Sequence, residues 1–208
     1  MSRAILLLAL ASCTAGKTHQ EHDVTNTASP NDPTLARLKQ QLATAQTQTD
    51  AHYAGDALPA AAEVTAIVER EQRPWWEQLT PGEAFLLFEI SPSTAARAPA
   101  DVVANAYCAG VAGVSAEWWG SPGAPRTEPS DRLVALGARV ATCLGALFDD
   151  PRPLRYIDGE ARTEADDNGW TVGDLAAGLV ARITGATYDA GKPAVDRAKQ
   201  RAALRGKR

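Results

Sequence analysis

Thr80-Pro81-Gly82-Glu83-Ala84-Phe85-Leu86-Leu87-Phe88-Glu89-Ile90 is the stretch whose reading decides the fold class. Its apolar run, residues 84–88, suits a buried strand as well as a buried helix when taken alone. The residues in front of it remove the ambiguity. Thr80 and Glu83 stand at capping-box spacing, and Pro81 falls at the first helical position, where its missing N–H is no loss. The stretch therefore reads as a short buried helix, stopped by Ser91-Pro92. Elsewhere the chain is rich in Ala and poor in alternating β-branched runs, so the expected fold is mostly α.

Further helices lie on both sides. Asp32-Pro33 opens one whose Leu35, Leu38, Leu42 and Ala45 recur every three or four residues. That stripe is narrow, so residues 34–50 read by default as a helix packed on the domain, with a semi-detached helix that pairs with another copy as the alternative. Pro59 opens a second, with Ala62, Val64, Ile67 and Val68 on one side and Pro74 as its stop. Pro99 opens a third over residues 100–112, with Val102, Val103, Ala106, Cys108 and Val111. Ser130 caps the segment 131–150, which ends at Pro151.

That last segment is similar to a HEAT-type repeat. Leu133, Leu136, Gly137, Val140, Leu144, Leu147, Asp149 and Pro151 occupy the positions of a Leu-x-x-Leu-Gly helix, a turn at Gly, and a second helix ending in an Asp-Asp-Pro corner. Residues 172–185 look like the opening helix of a following unit, and the resemblance covers about 133–185. It implies one helical corner. Only a unit and a half is present, and solenoids need at least three repeats, so the expectation is an irregular multi-helix domain with one HEAT-like corner.

The N-terminus carries an address. Arg3 is followed by the uncharged run 4–11, an h-region by length and far short of the about 20 apolar residues that span a bilayer. Leu10-Ala11-Ser12-Cys13 then matches the bacterial lipoprotein lipobox at all four positions. The resemblance implies cleavage before Cys13, acylation of Cys13, and anchoring in membrane lipid of the bacterial cell envelope. Thr14 is not acidic, which by analogy with lipoprotein sorting favours the outer membrane over the inner. Residues 1–12 are then a signal peptide. Residues 13–33, polar and almost without large apolar groups, are a disordered tether. The helical domain is 34–190, and 191–208 is a basic tail with seven Lys/Arg against a single Asp.

The lipobox also sets the cysteine count. With Cys13 acylated, Cys108 and Cys143 remain in an oxidising compartment, and they read as either a disulfide or two buried thiols. The basic tail reads as an amphipathic helix for an anionic surface or as a frayed terminus.

Catalytic constellations are scarce. The three histidines are His19, His22 and His52, and none follows His52, so the folded body offers no obvious imidazole base for a Ser or Cys nucleophile. No phosphate-cradling Gly-rich loop, H-E-x-x-H or G-x-S-x-G occurs. The most polar part of the body is an insertion at 151–170, with Asp158, Glu160, Glu164, Asp166 and Asp167. Read on the helix-loop-helix calcium pattern, it puts Leu175 where a bidentate Glu is required. Its acids read chiefly as a solvated loop paired with Arg152, Arg155 and Arg162. Candidate binding residues are Trp118, Trp119 and Trp170 with Asp158, Glu160, Asp166 and Asp167. The tryptophans are either core plugs or a stacking platform. The expectation is a binding or structural module of the envelope, without catalytic activity, metal or cofactor. Its partners would be membrane lipid and a further envelope protein or glycan, and no nucleic acid. An immunity protein that neutralises a toxin, or a carboxylate-based glycan hydrolase, is the alternative.

Overall fold

The structure is a computed structural model, and it describes residues 32–49, 58–113, 116–156 and 159–206. Cys13, the 13–33 tether apart from Asp32 and Pro33, the three histidines and Asp158 lie outside the described residues. Among the described residues the chain is a mostly α, multi-helix domain without strands. The α-helices are α1 (Pro33–Thr49), α2 (Leu58–Glu71), α3 (Pro81–Ile90), α4 (Pro92–Ala95), α5 (Ala100–Gly113), α6 (Glu128–Ala135), α7 (Ala138–Ala146), α8 (Gly159–Asn168), α9 (Val172–Thr184) and α10 (Ala194–Arg205). No helix among them is long and apolar enough to cross a membrane.

The capping box forms as read. Thr80 accepts from the Glu83 amide, and Glu83 accepts from the Thr80 amide at 2.8 Å. Behind it Ala84, Phe85, Leu86, Leu87 and Phe88 are all buried, on every side of the helix. A helix apolar all round must be covered all round. Here α1 and α2 cover α3 from one direction and α5 from another. From α5 the packing continues through α7 to α9, whose residues 172–181 are all buried. The core is thus one continuous cluster running from Leu35 to Leu204.

One reading of the segments is decided and two change. First, α1 is docked on the domain, the default reading of its stripe, and is not partly detached. Leu35, Leu38 and Leu42 are fully buried, Gln41 donates to Glu63 at 2.9 Å, and Asp32 pairs with Arg73 at 2.6 Å. A narrow leucine stripe suffices because α2 and α3 form a groove for it. Second, the insertion is not a loop throughout. It carries α8, whose last carbonyls at Asn168 and Gly169 accept from Arg197 at 2.9 and 3.0 Å. An exposed helix with one fully buried residue, Ala165, has almost no apolar periodicity to read, and its end is completed from α10 instead.

Third, the basic tail is part of the body. α10 packs on α9, with Leu204 and Arg197 buried. Arg197 and Arg201 pair with the buried Asp174, and on the surface Arg205 pairs with Asp149, Lys199 with Asp196 and Lys192 with Asp189. Over the described residues 191–206 a frayed terminus does not describe it. Its apolar side is not exposed as a stripe either, and Val195 alone stands out at 63% exposure.

Two close contacts hold the body together. Gly178 on α9 lies where an added Cβ would sit 2.0 Å from the Pro122 carbonyl oxygen, so the loop rests directly on the helix backbone. A disulfide between Cys108 of α5 and Cys143 of α7 spans a Cα separation of 6.2 Å. Closing a loop of 35 residues stabilises by about 4 kcal/mol in the chain-entropy description.

Candidate functional site

A cleft of about 510 Å³ opens between the end of α3, the short 3-10 turn Ala116–Trp118, the following loop and the start of α6. Glu89, Glu117, Trp118, Arg126, Thr127, Glu128, Pro129 and Arg132 line it. Its walls are fixed from behind. Thr127 caps α6 by accepting from the Ser130 amide at 3.2 Å, and its hydroxyl donates to the Trp118 carbonyl at 2.6 Å. The Ser130 hydroxyl donates to the Trp119 carbonyl, also at 2.6 Å. The cap that starts α6 therefore also grips the tryptophan turn. From the other side, the Ala116 amide donates to the Arg155 carbonyl at 3.0 Å, and the Tyr156 hydroxyl donates to the Gly120 carbonyl at 3.0 Å.

The two adjacent tryptophans divide the work. Trp119 is fully buried and stacks on Phe85, with ring centroids 5.2 Å apart. Trp118 is half-buried. Its ring meets Phe85 edge-on at 5.7 Å and leaves an indole surface in the cleft wall. Phe85 belongs to the stretch that decides the fold, so the same helix that centres the core also positions the cleft.

Glu89 ends that helix and is the cleft's deepest charge, with its side chain 4% exposed. One carboxylate oxygen accepts from the Tyr107 hydroxyl and the other from Arg132, whose second nitrogen reaches Glu128. Burial raises the Glu89 carboxyl above the ordinary glutamate value of 4.5, with Tyr107 and Arg132 opposing the shift. The Tyr107 phenol is pushed up by burial and then by Glu89, so it stays protonated and donates. With both oxygens engaged, Glu89 is held as a fixed acceptor and a brace between α3, α5 and α6. It is poorly placed to pass a proton to a ligand.

A second polar cluster lies inside the body. Asp174, fully buried, pairs with Arg197 at 3.2 Å and with Arg201, and it accepts from Tyr188 at 2.6 Å. It also closes a capping box with Thr171. Arg197, 2% exposed, donates onward to the Lys192 carbonyl at 2.7 Å and to the end of α8. Burial, and then Asp174, pushes the Tyr188 phenol up. None of these four residues lines the cleft.

The residues expected to bind a ligand are not brought together. Of those among the described residues, Trp118 alone reaches the cleft. Trp119 is core, and Trp170, 3% exposed, is core with its indole N–H on the Ala190 carbonyl at 2.9 Å. Neither ring offers a face to solvent, which removes both from a stacking platform. Glu160, Asp166 and Asp167 are exposed on α8. They do not converge on Trp170, because a short solvated helix splays its acids around its own surface. Among the described residues no group of three His, Cys, Asp or Glu side chains is placed to hold a metal ion. Glu89, Arg126 and Arg132 escaped sequence reasoning. Tyr107 and Arg132 stand 18 and 43 residues from Glu89, and no local spacing signals such a meeting. Compared with protein-family models, curated proteins and solved structures, the chain matches none.

Proposed function

We propose that the protein is a lipid-anchored binding module of the bacterial cell envelope, and that it binds its ligand in the Glu89–Trp118–Arg132 cleft without catalysing a reaction. The cleft carries this reading. Its volume falls in the range of small-ligand sites, and it combines a braced aromatic face with a few convergent polar groups. The commitment of both Glu89 oxygens speaks against a carboxylate-based hydrolase there. The anchor rests on Leu10-Ala11-Ser12-Cys13, and the non-acidic Thr14 favours the outer membrane. In this reading several acyl chains on Cys13 hold the module to membrane lipid while the polar stretch 14–33 gives it reach.

Two measurements test the two halves separately. Cys13→Ser should abolish incorporation of labelled palmitate and release the protein from membranes. Unchanged labelling would remove the anchor. A photo-crosslinking residue at position 126, in the cleft, should capture an envelope component in living cells, and one at position 160, on α8, should not. Capture from 160 and none from 126 would move the binding surface away from the cleft.

A further inference from the structure

We infer that the ligand of this cleft is a neutral, polyhydroxylated oligosaccharide, an inference that rests on reading the cleft as the binding site. The charges make the first argument. Three carboxylates, Glu89, Glu117 and Glu128, share the cleft with two guanidinium groups, Arg126 and Arg132. Both signs are interspersed over one small surface, so a strongly cationic or anionic ligand that meets one attractive group also meets a repulsive one. A hydroxyl both donates and accepts, so adjacent sugar hydroxyls use both kinds of group at once.

The shape of those groups makes the second argument. Carboxylate and guanidinium are planar forks whose paired atoms suit two neighbouring hydroxyls. Arg132 is already held in its plane by Glu89 and Glu128, so little freedom is lost when it binds. Arg126 is exposed and makes no ion pair with any described residue, which leaves its donors for a ligand.

The third argument is the indole. Trp118 is held by its backbone through Thr127 and by its ring edge against Phe85. A rigid, half-exposed aromatic face beside polar forks suits the apolar C–H face of a pyranose, whose hydroxyls point outward along the ring plane. An extended apolar ligand would desolvate the charged groups of the cleft without offering Arg126 a hydrogen-bond acceptor.

The test uses the full chain with Cys13→Ser, titrated calorimetrically with chitohexaose, cellohexaose and maltohexaose in turn. At least one should bind saturably, with an affinity that barely changes as salt rises. Trp118→Ala and, separately, Arg126→Ala should each weaken it, Trp118→Ala by about tenfold, the size of a stacked aromatic contact. Arg126→Ala removes no described ion pair, so it guards against a loss of binding caused by misfolding. Trp118→Phe, which keeps a ring, should recover part of the affinity. A hexasaccharide that binds equally well to both variants would overturn the inference. Two further titrants separate its failure from that of the site. If tetralysine or oligogalacturonate binds in a Trp118-dependent, salt-sensitive way while neutral sugars do not, the cleft stands and the neutral glycan falls. If no titrant binds, both fall.

Discussion

Two carboxylate–tyrosine–arginine clusters stand among the described residues; only the first borders the cleft of about 510 Å³, and of the second Tyr188 alone reaches a smaller pocket beside α9. Glu89 with Tyr107 and Arg132 forms the floor of a polar opening, while Asp174 with Tyr188, Arg197 and Arg201 is mostly buried between α8, α9 and α10. The residue types are almost the same. What differs is the surroundings. The Glu89 cluster stands beside a half-buried indole and an exposed arginine. The Asp174 cluster has Arg197 turned inward onto the backbone carbonyls that end α8, and Arg201 turned onto Asp174 itself. A composition of ionisable residues therefore does not mark a site. The solvent-facing groups around it do.

The largest expected effect breaks the buried cluster. Asp174→Ala leaves Arg197 buried without its counter-ion and should destabilise the fold by about 3–5 kcal/mol in urea unfolding. It should also loosen α10 enough to raise amide exchange there. A loss under about 1 kcal/mol would mean that the cluster is not the clamp described here. Next comes the disulfide, which ties α5, the helix of Tyr107, to α7, the helix that packs on α9. Cys143→Ser should cost about 2–4 kcal/mol and leave both clusters assembled.

Smaller effects sharpen the contrast. Glu89 has a folded pKa above its ordinary 4.5, so the folded protein takes up that proton more readily than the unfolded one. Between the raised value and 4.5, stability contributed by this group rises as pH falls, and ionisation at higher pH opposes folding. The stability of the wild type relative to Glu89→Gln should therefore increase from pH 7 towards 4.5. A flat difference would show that Arg132 fully offsets the burial. Smallest of all, Asp166→Asn with Asp167→Asn on the exposed face of α8 should change stability by less than about 0.5 kcal/mol.

Much of the fold was legible because it rests on local signals. The Thr80–Glu83 box, the prolines at helix starts and the Leu35–Leu38–Leu42 stripe are each contained within one or two turns. The α8 helix was not legible, since its register depends on Arg197 almost thirty residues later. The α10 tail misled for a related reason. A run of Lys and Arg looks solvated until the acids that neutralise it, Asp149 and Asp174, arrive from other helices. The site followed the same rule. Trp118 was visible as an unusual residue at a helix end, whereas Glu89 was hidden as a polar letter in the most apolar helix of the chain. The acidic insertion drew notice for its polarity, yet polarity there reports exposure, and binding chemistry needs convergence.

One measurement bears most directly on the claim that the cleft, and no other polar feature, is where this protein meets its ligand. It is co-sedimentation of the full chain carrying Cys13→Ser with isolated cell envelopes, at graded protein concentration. The cleft pair Trp118→Ala with Arg126→Ala should lower retention by about tenfold, as expected for loss of an aromatic anchor, while the α8 pair Asp166→Asn with Asp167→Asn binds like the wild type. Undiminished retention of the cleft pair, or its loss in the α8 pair alone, would contradict the account.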